Sequence, residues 1–165
     1  MAETTVVSNW HNLLENFQAS PKQLYDSVEA AIQTREIPDC KLSRVSISEG
    51  GIFSSSREYL RVTRKDFKFD ICASPFGKGF FISWWLLYEP SGFFAWLSSF
   101  IPVFGTFFRI FIKPITYYQV DTGHMFQETV HSSVIEILDS MTKSQGHRVL
   151  TELEKKPIMR EFFLK

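Results

Sequence analysis

Apolar residues near the start of the chain recur at the spacing of an α-helix. Trp10, Leu13, Leu14 and Phe17 stand at positions i, i+3, i+4 and i+7, which would place them on one helical face. Ser8 precedes them and is a residue type that commonly caps a helix. The pattern predicts a short helix from Ser8 that docks on the fold through its apolar face.

A second helix is predicted by a stronger start signal. Ser20 can cap it, and Gln23 completes a capping box. Pro21 suits the first helical position, where its missing N–H would have no helical partner. The helix is expected to end before Pro38, and its apolar stripe consists of Leu24, Val28, Ala31 and Ile32.

From residue 41 the apolar positions alternate with polar ones, which is typical of strands that cover one face of a core. Four strands are predicted, and they start at residues 41, 57, 67 and 80. Turns are expected at Gly50-Gly51, at Lys65-Asp66 and over residues 75–79. The strands would therefore form an antiparallel meander whose fourth strand is apolar on both faces.

The rest of the chain predicts one more strand and further helices. Residues 115–120 indicate a fifth strand, and Thr122 then caps a long helix that ends at Gly146. A capping box over residues 151–154 and Pro157 predict a short amphipathic helix in the tail. The long helix carries a core stripe of Phe126, Val130, Val134, Ile137, Leu138 and Met141.

Residues 91–114, the aromatic segment, do not fit this scheme. Residues 91–108 carry no charge, but they are fewer than the ~20 apolar residues that a transmembrane helix needs. Pro102 and Gly105 also interrupt them, and proline breaks a helix interior. Two short helices over residues 92–100 and 106–113, joined by a turn, explain these breakers better than one spanning helix.

Such a helical hairpin would present a large aromatic surface, for which three environments compete. It can fold back into the core, enter one leaflet of a membrane, or lie against a protein partner or a second copy of the chain. Arg109 and Lys113 flank the aromatic residues and could contact lipid phosphates. The candidate membrane-binding or partner-binding residues are Phe93, Phe94, Trp96, Leu97, Phe100, Phe104, Phe107, Phe108, Arg109, Phe111 and Lys113.

Composition sharpens this interpretation. Of the chain's 26 Phe, Trp and Tyr residues, 16 fall in residues 76–118, so the aromatic excess is local. The 18 Lys and Arg balance the 18 Asp and Glu, which argues against a general nucleic-acid binder. With two widely spaced cysteines and no secretory signal pattern, the sequence favours the cytoplasmic side, with a peripheral position at a membrane.

The neutral total conceals a basic stretch, because residues 41–75 carry seven bases and four acids. On the second predicted strand, residues with outward side chains include Arg57 and Arg61, and Lys65 and Lys68 extend the same stripe across the turn. The simplest interpretation is a solvated outer face. If the aromatic segment meets a bilayer, these four residues could also attract an anionic surface.

Candidate catalytic chemistry is weak. His124, Glu128 and His131 include a single Glu-x-x-His pair at helical spacing, whereas di-iron bundles use two such pairs. Around the helix axis these three residues lie opposite Phe126 and Ile137, so they are expected to face away from the core. Ser83 and Cys72 lack the sequence context of an activated nucleophile.

The sequence therefore predicts a single α+β domain over residues 1–165. An antiparallel sheet of four or five strands would pack with N- and C-terminal helices, and residues 91–114 would be an inserted hydrophobic helical hairpin. The favoured function is a non-enzymatic module, with no cofactor, that binds a membrane surface or a membrane-associated complex through the hairpin. The alternatives are a subunit of a protein complex or homo-oligomer with the hairpin as its interface, and a small metal-dependent enzyme.

Overall fold

The computed structural model describes residues 4–48, 56–89 and 116–160. The predicted hairpin and its candidate binding residues lie outside these ranges. The described residues form an α+β fold with a six-stranded antiparallel sheet. In chain order the elements are β1 (Thr5–Glu15), α1 (Pro21–Gln33), β2 (Cys40–Ser48), β3 (Ser56–Arg64), β4 (Phe67–Phe76), β5 (Gly79–Tyr88), α2 (Tyr117–Ser144), α3 (Glu152–Lys155) and β6 (Ile158–Met159).

The sheet has the strand order β2-β3-β4-β5-β1-β6. Its first four strands are the predicted meander, and its Lys65-Asp66 turn is confirmed by the pairing of Arg64 with Phe67. Two strands that were not predicted, β1 and β6, extend the sheet beyond this meander, to six strands in place of the predicted four or five. β1 pairs with β5 along its length, and β6 adds a two-residue pairing at Ser8 and Asn9.

The core lies between one face of the sheet and the two long helices. Phe69 on β4 lies at its centre, with ring centroids 4.6 Å from Trp84 on β5 and 6.2 Å from Phe126 on α2. Aromatic pairs at such distances add to the free energy of burial. The predicted stripe of α1 is buried at Leu24, Val28 and Ile32, and that of α2 is buried at Phe126, Val130, Val134 and Leu138.

The first predicted helix is wrong, because residues 5–15 form strand β1. The four apolar residues do have helical spacing, but they follow a run of β-branched residues, Thr4 to Val7, and such a run favours a strand. Trp10 points into the core at 2% exposure, whereas Leu13 is 47% exposed. Ser8 does not cap a helix, since its hydroxyl donates to Gln127 Oε1 on α2 at 2.5 Å.

The predicted fifth strand over residues 115–120 is also wrong where the structure describes it, because α2 begins at Tyr117. Thr116, not Thr122, is the cap. Its hydroxyl accepts from the Gln119 N–H, and the Gln119 side chain accepts from the Thr116 N–H at 3.0 Å. This capping box holds the first turn of the helix although Tyr117 and Tyr118 favour strands.

The predicted starts of α1 and of the helix in the tail are each confirmed only in part. α1 starts at Pro21 as expected, but within the described residues the Ser20 side chain makes no capping hydrogen bond. In the tail, the capping box of Thr151 and Glu154 is confirmed and opens α3. The helix predicted from Pro157 is wrong over residues 158–159, which pair with β1 as β6.

Tyr25 joins α1 to a fork in the sheet. The β3–β4 ladder ends at Tyr59 and Cys72, and the Tyr25 hydroxyl takes the place of the next backbone pair. It accepts from the Ala73 N–H at 2.8 Å and donates to the Glu58 carbonyl at 2.7 Å. Beyond this point β3 and β4 are no longer paired with each other. β4 can therefore hold Pro75, because the N–H that proline lacks is not needed for pairing with β3.

Candidate functional site

The two chain ends that bound the aromatic segment meet at one end of the fold. Glu89 follows β5, and its N–H donates to the Asp66 carbonyl in the β3–β4 turn at 2.8 Å. Thr116 precedes α2 and lines the same cavity as Lys65 and Phe67. We call this end of the molecule the base. Its cavity of about 370 Å³ is lined by Lys65, Asp66, Phe67, Thr116, Tyr118, Gln119 and Thr122.

A close approach of α2 to the sheet fixes the base. A Cβ on Gly123 would lie 2.9 Å from two ring atoms of Phe67, which is shorter than a van der Waals contact. Glycine therefore lets the first turns of α2 pack against the start of β4. Phe67 itself is buried, and its ring packs at a tilt against that of Tyr88, the last residue of β5, with 5.3 Å between ring centroids.

Two exposed tyrosines and one exposed lysine lie at the base. Tyr117 is 91% exposed and Tyr118 is 71% exposed, both in the first turn of α2. Lys65 is exposed in the β3–β4 turn and has a positive φ of 51°. Tyrosine rings combine an apolar body with a polar tip, and this combination suits the interface between lipid and water.

The predicted cationic stripe is partly neutralised within the fold. The Arg61 guanidinium binds both carboxylate oxygens of Asp70 at 2.7 Å, and Asp70 is only 3% exposed. This hydrogen-bonded carboxylate raises the pKa of Arg61. Lys68 forms an ion pair with Glu89 at the base. Arg57, at the other end of β3, and Lys65 are exposed.

The structure does not place the three weak metal candidates together on one exposed face of the helix. His124 and Glu128 are exposed, but His131 is 6% exposed and faces the core, so its predicted outward orientation is wrong. His131 lies seven residues before Leu138, almost two full turns, and therefore shares its side of the helix. Among the described residues, no three His, Cys, Asp or Glu side chains lie close enough together to hold a metal ion.

His131 instead belongs to a buried cluster that sequence reasoning missed. Its Nδ1 accepts a hydrogen bond from Trp84 Nε1 at 3.1 Å. Trp10 packs edge-on at 5.9 Å between ring centroids. Burial is the main cause of a lowered pKa for His131, opposed by a hydrogen bond to the Lys155 backbone and by the Glu128 charge. The one feature of the sequence that indicated the burial of His131 was its spacing of seven residues from Leu138, a member of the predicted core stripe.

Cys72 and Ser83 face each other across β4 and β5 on the side of the sheet away from the helices. Cys72 is 1% exposed and Ser83 is 5% exposed. Burial raises the pKa of the Cys72 thiol, although hydrogen bonds with Tyr59, Arg57 and Ser83 oppose the shift. A buried thiol with a raised pKa is a poor nucleophile at neutral pH, so the pair has the character of a structural contact.

A second cavity of about 530 Å³ lies at the opposite end of the fold. It is bounded by the end of β1, by Thr142 near the end of α2 and by the loop before α3. In its wall, the two terminal guanidinium nitrogens of Arg148, Nη1 and Nη2, donate to the Glu154 carboxylate at 2.8 and 2.7 Å. These charged groups therefore satisfy each other rather than point unpaired into the cavity.

No protein-family model and no curated protein sequence matches this chain. A search of solved structures finds TTHA0849 from Thermus thermophilus, which is 16% identical and covers 86% of this chain and 99% of its own. The TM-score is 0.33, which is too low to establish a shared fold. Within residues 4–48, 56–89 and 116–160, no helix has both the length and the apolar character needed to cross a bilayer.

Proposed function

We propose that the protein is a non-enzymatic module that binds an anionic membrane surface through the aromatic segment, residues 91–114. The observation that carries the proposal is the base, where Glu89 and Thr116 approach the same β3–β4 turn. The 26 residues between them therefore depart from and return to one end of a rigid sheet. An uncharged aromatic run in this position can meet a flat surface without the sheet having to rearrange.

The side chains of the base support a lipid interface. Tyr117 and Tyr118 would lie at headgroup depth beside the inserted segment. Lys65 would add headgroup attraction of about 1 kcal/mol per basic residue near an anionic surface. Arg61 and Lys68 contribute less than the sequence indicated, because carboxylates already hold them. The attraction is therefore expected to come from Lys65 and from Arg109 and Lys113 in the segment.

Vesicle flotation tests the proposal directly. Purified full-length protein is mixed with anionic or neutral vesicles and centrifuged through a density gradient. We expect the protein to float with anionic vesicles, and Arg109→Glu to weaken this binding more at low salt than at high salt, because surface charge is screened. Failure of the wild-type protein to float with either vesicle would refute the proposal. A stable dimer that does not float would favour the alternative, in which a second copy covers the segment.

A further inference from the structure

The His131 imidazole is held in one protonation state by its neighbours. Trp84 Nε1–H donates to Nδ1, so Nδ1 must be an acceptor and the ring proton must be on Nε2. The Lys155 backbone carbonyl can accept from Nε2–H, and this interaction by itself favours the charged ring. A proton added at Nδ1 would face the indole N–H of Trp84, and one of the two donors would lose its partner.

Charged groups near His131 leave this conflict in place. Glu128 is one turn away on α2, and its negative charge favours the imidazolium but does not outweigh burial. The Lys155 ammonium is directed to Asp139 at 3.0 Å. On the β1 and β5 sides the ring meets the indoles of Trp10 and Trp84, which do not titrate. The Glu154 carboxylate is bound by Arg148.

Residues 151–160, the C-terminal strap, contact this site through backbone groups. Trp10 Nε1 donates to the Glu154 carbonyl at 2.6 Å, and the backbone of the next residue, Lys155, acts on the His131 ring. The strap then continues to β6, which pairs with β1 at only two residues. Arg160 ends it, with its N–H bonded to the Val7 carbonyl at 2.9 Å.

The strap buries fewer apolar side chains than the other elements near His131. α3 buries none of its four residues, and Ile158 and Met159 are 48% and 49% exposed. The β1, β5 and α2 side chains around His131 are instead part of the main core. Elements with few buried apolar contacts open at lower free energy than the core. The easiest way to hydrate a charged His131 is therefore to lift the strap.

We propose that the C-terminal strap is a pH-sensitive clasp, closed over Trp10 while His131 is neutral and opened by protonation of His131. Opening uncovers the edge of the Trp10 indole and frees the edge of β1 that pairs with β6. It leaves the meander and α1 in place. The inference does not depend on the membrane proposal, because it concerns His131 and the strap and involves neither the base nor the aromatic segment.

Proton and nitrogen NMR spectra of the full-length protein from pH 8 to pH 5 test the clasp. We expect the His131 ring and the amides of Glu154, Lys155 and Met159 to change with one common midpoint, below the ordinary histidine pKa of about 6.5. Contacts between Asn9 and Ile158 should be lost over the same range. The Ala73 amide, bonded to Tyr25 in the main core, should not follow this midpoint.

Two variants assign the transition to one residue. His131→Gln keeps an N–H that can reach the Lys155 carbonyl but does not titrate, so the strap is expected to stay closed throughout. His124→Gln removes an exposed histidine from the same helix and should leave the transition unchanged. The clasp is refuted if strap amides do not change while His131 titrates, if the transition persists in His131→Gln, or if core amides change with the strap. The wild-type titration decides the question even if His131→Gln does not fold.

Discussion

Replacing Tyr25 by phenylalanine removes one oxygen from the point where α1 meets the fork in the sheet. The ring is 1% exposed, and its hydroxyl serves Ala73 at 2.8 Å and Glu58 at 2.7 Å. The phenylalanine ring can fill the same space, so the expected loss comes from hydrogen bonding and not from a cavity. The substitution therefore measures what this single hydroxyl contributes.

The magnitude follows from the two backbone groups that lose their partner. An unsatisfied buried polar group costs about 1–3 kcal/mol. The Glu58 carbonyl lies in a partly buried region and can be reached by water, so the Ala73 N–H should dominate. We expect the free energy of unfolding to fall by about 2 kcal/mol, near the middle of that range. For a chain of this size, that corresponds to a decrease in Tm of roughly 4–8 °C.

Urea unfolding followed by circular dichroism at pH 7 provides the measurement. Tyr117→Phe is the matched control, because it removes the same atom from a ring that is 91% exposed, and it should change stability by less than about 0.5 kcal/mol. If Tyr25→Phe and Tyr117→Phe have the same stability within that margin, the Tyr25 hydroxyl does not replace the missing ladder bond.

Three further predictions concern the packing and electrostatics of the described residues. Arg61→Met should destabilise the fold by about 3 kcal/mol, since it leaves the buried Asp70 carboxylate uncompensated, and adding Asp70→Leu should recover much of the loss in urea unfolding. Gly123→Ala should lower Tm, because about 1–3 kcal/mol of overpacking against Phe67 exceeds the ~1 kcal/mol gain in helix propensity; an increase in Tm would contradict the close approach of α2. Because the folded-state pKa of His131 is lowered, the unfolded state binds the proton more readily, so stability should be constant above pH ~6.5 and fall below it by at most ~1.4 kcal/mol per pH unit. His131→Gln should remove that part of the pH dependence, and an unchanged profile would contradict the assignment.

The meander could be predicted from the sequence because its information is local. Each strand alternates along its own length, and Lys65-Asp66 joins two such strands with a turn of fitting length. The same holds for α1 and for the core stripe of α2, where spacing alone identifies Leu24, Val28 and Phe126 as buried. These elements need no knowledge of the rest of the chain.

The errors occur where the deciding partner is distant. Trp10 and Leu14 have helical spacing, but residues 5–15 pair with β5, more than 60 positions later, and this pairing decides their structure. β6 is only two residues long and exists because β1 offers an edge at Ser8 and Asn9. Spacing within residues 157–160 could not indicate that edge.

The candidate site could be predicted only in part for the same reason. The basic residues of β3 were visible in the sequence, but the bidentate pairing of Arg61 with Asp70 depends on the register of β3 and β4. The burial of His131 depends on Trp10 and Trp84, which come from strands far away in sequence. The meeting of Glu89 and Thr116 at the base likewise required the packing of α2 on the sheet.

The most direct test of the membrane proposal compares a phenylalanine substitution in the aromatic segment with one at an exposed turn of the described sheet. Phe104→Asp lies in the aromatic segment, and Phe76→Asp changes a residue that is 68% exposed at the β4–β5 turn, away from the base. Because burial of one phenylalanine side chain in an apolar environment contributes about 1.5–3 kcal/mol, Phe104→Asp should lower partitioning into anionic vesicles by roughly tenfold or more. Phe76→Asp should bind like the wild type. Equal vesicle binding by both variants, or a larger loss in Phe76→Asp, would contradict the proposal that the aromatic segment is the membrane-binding element.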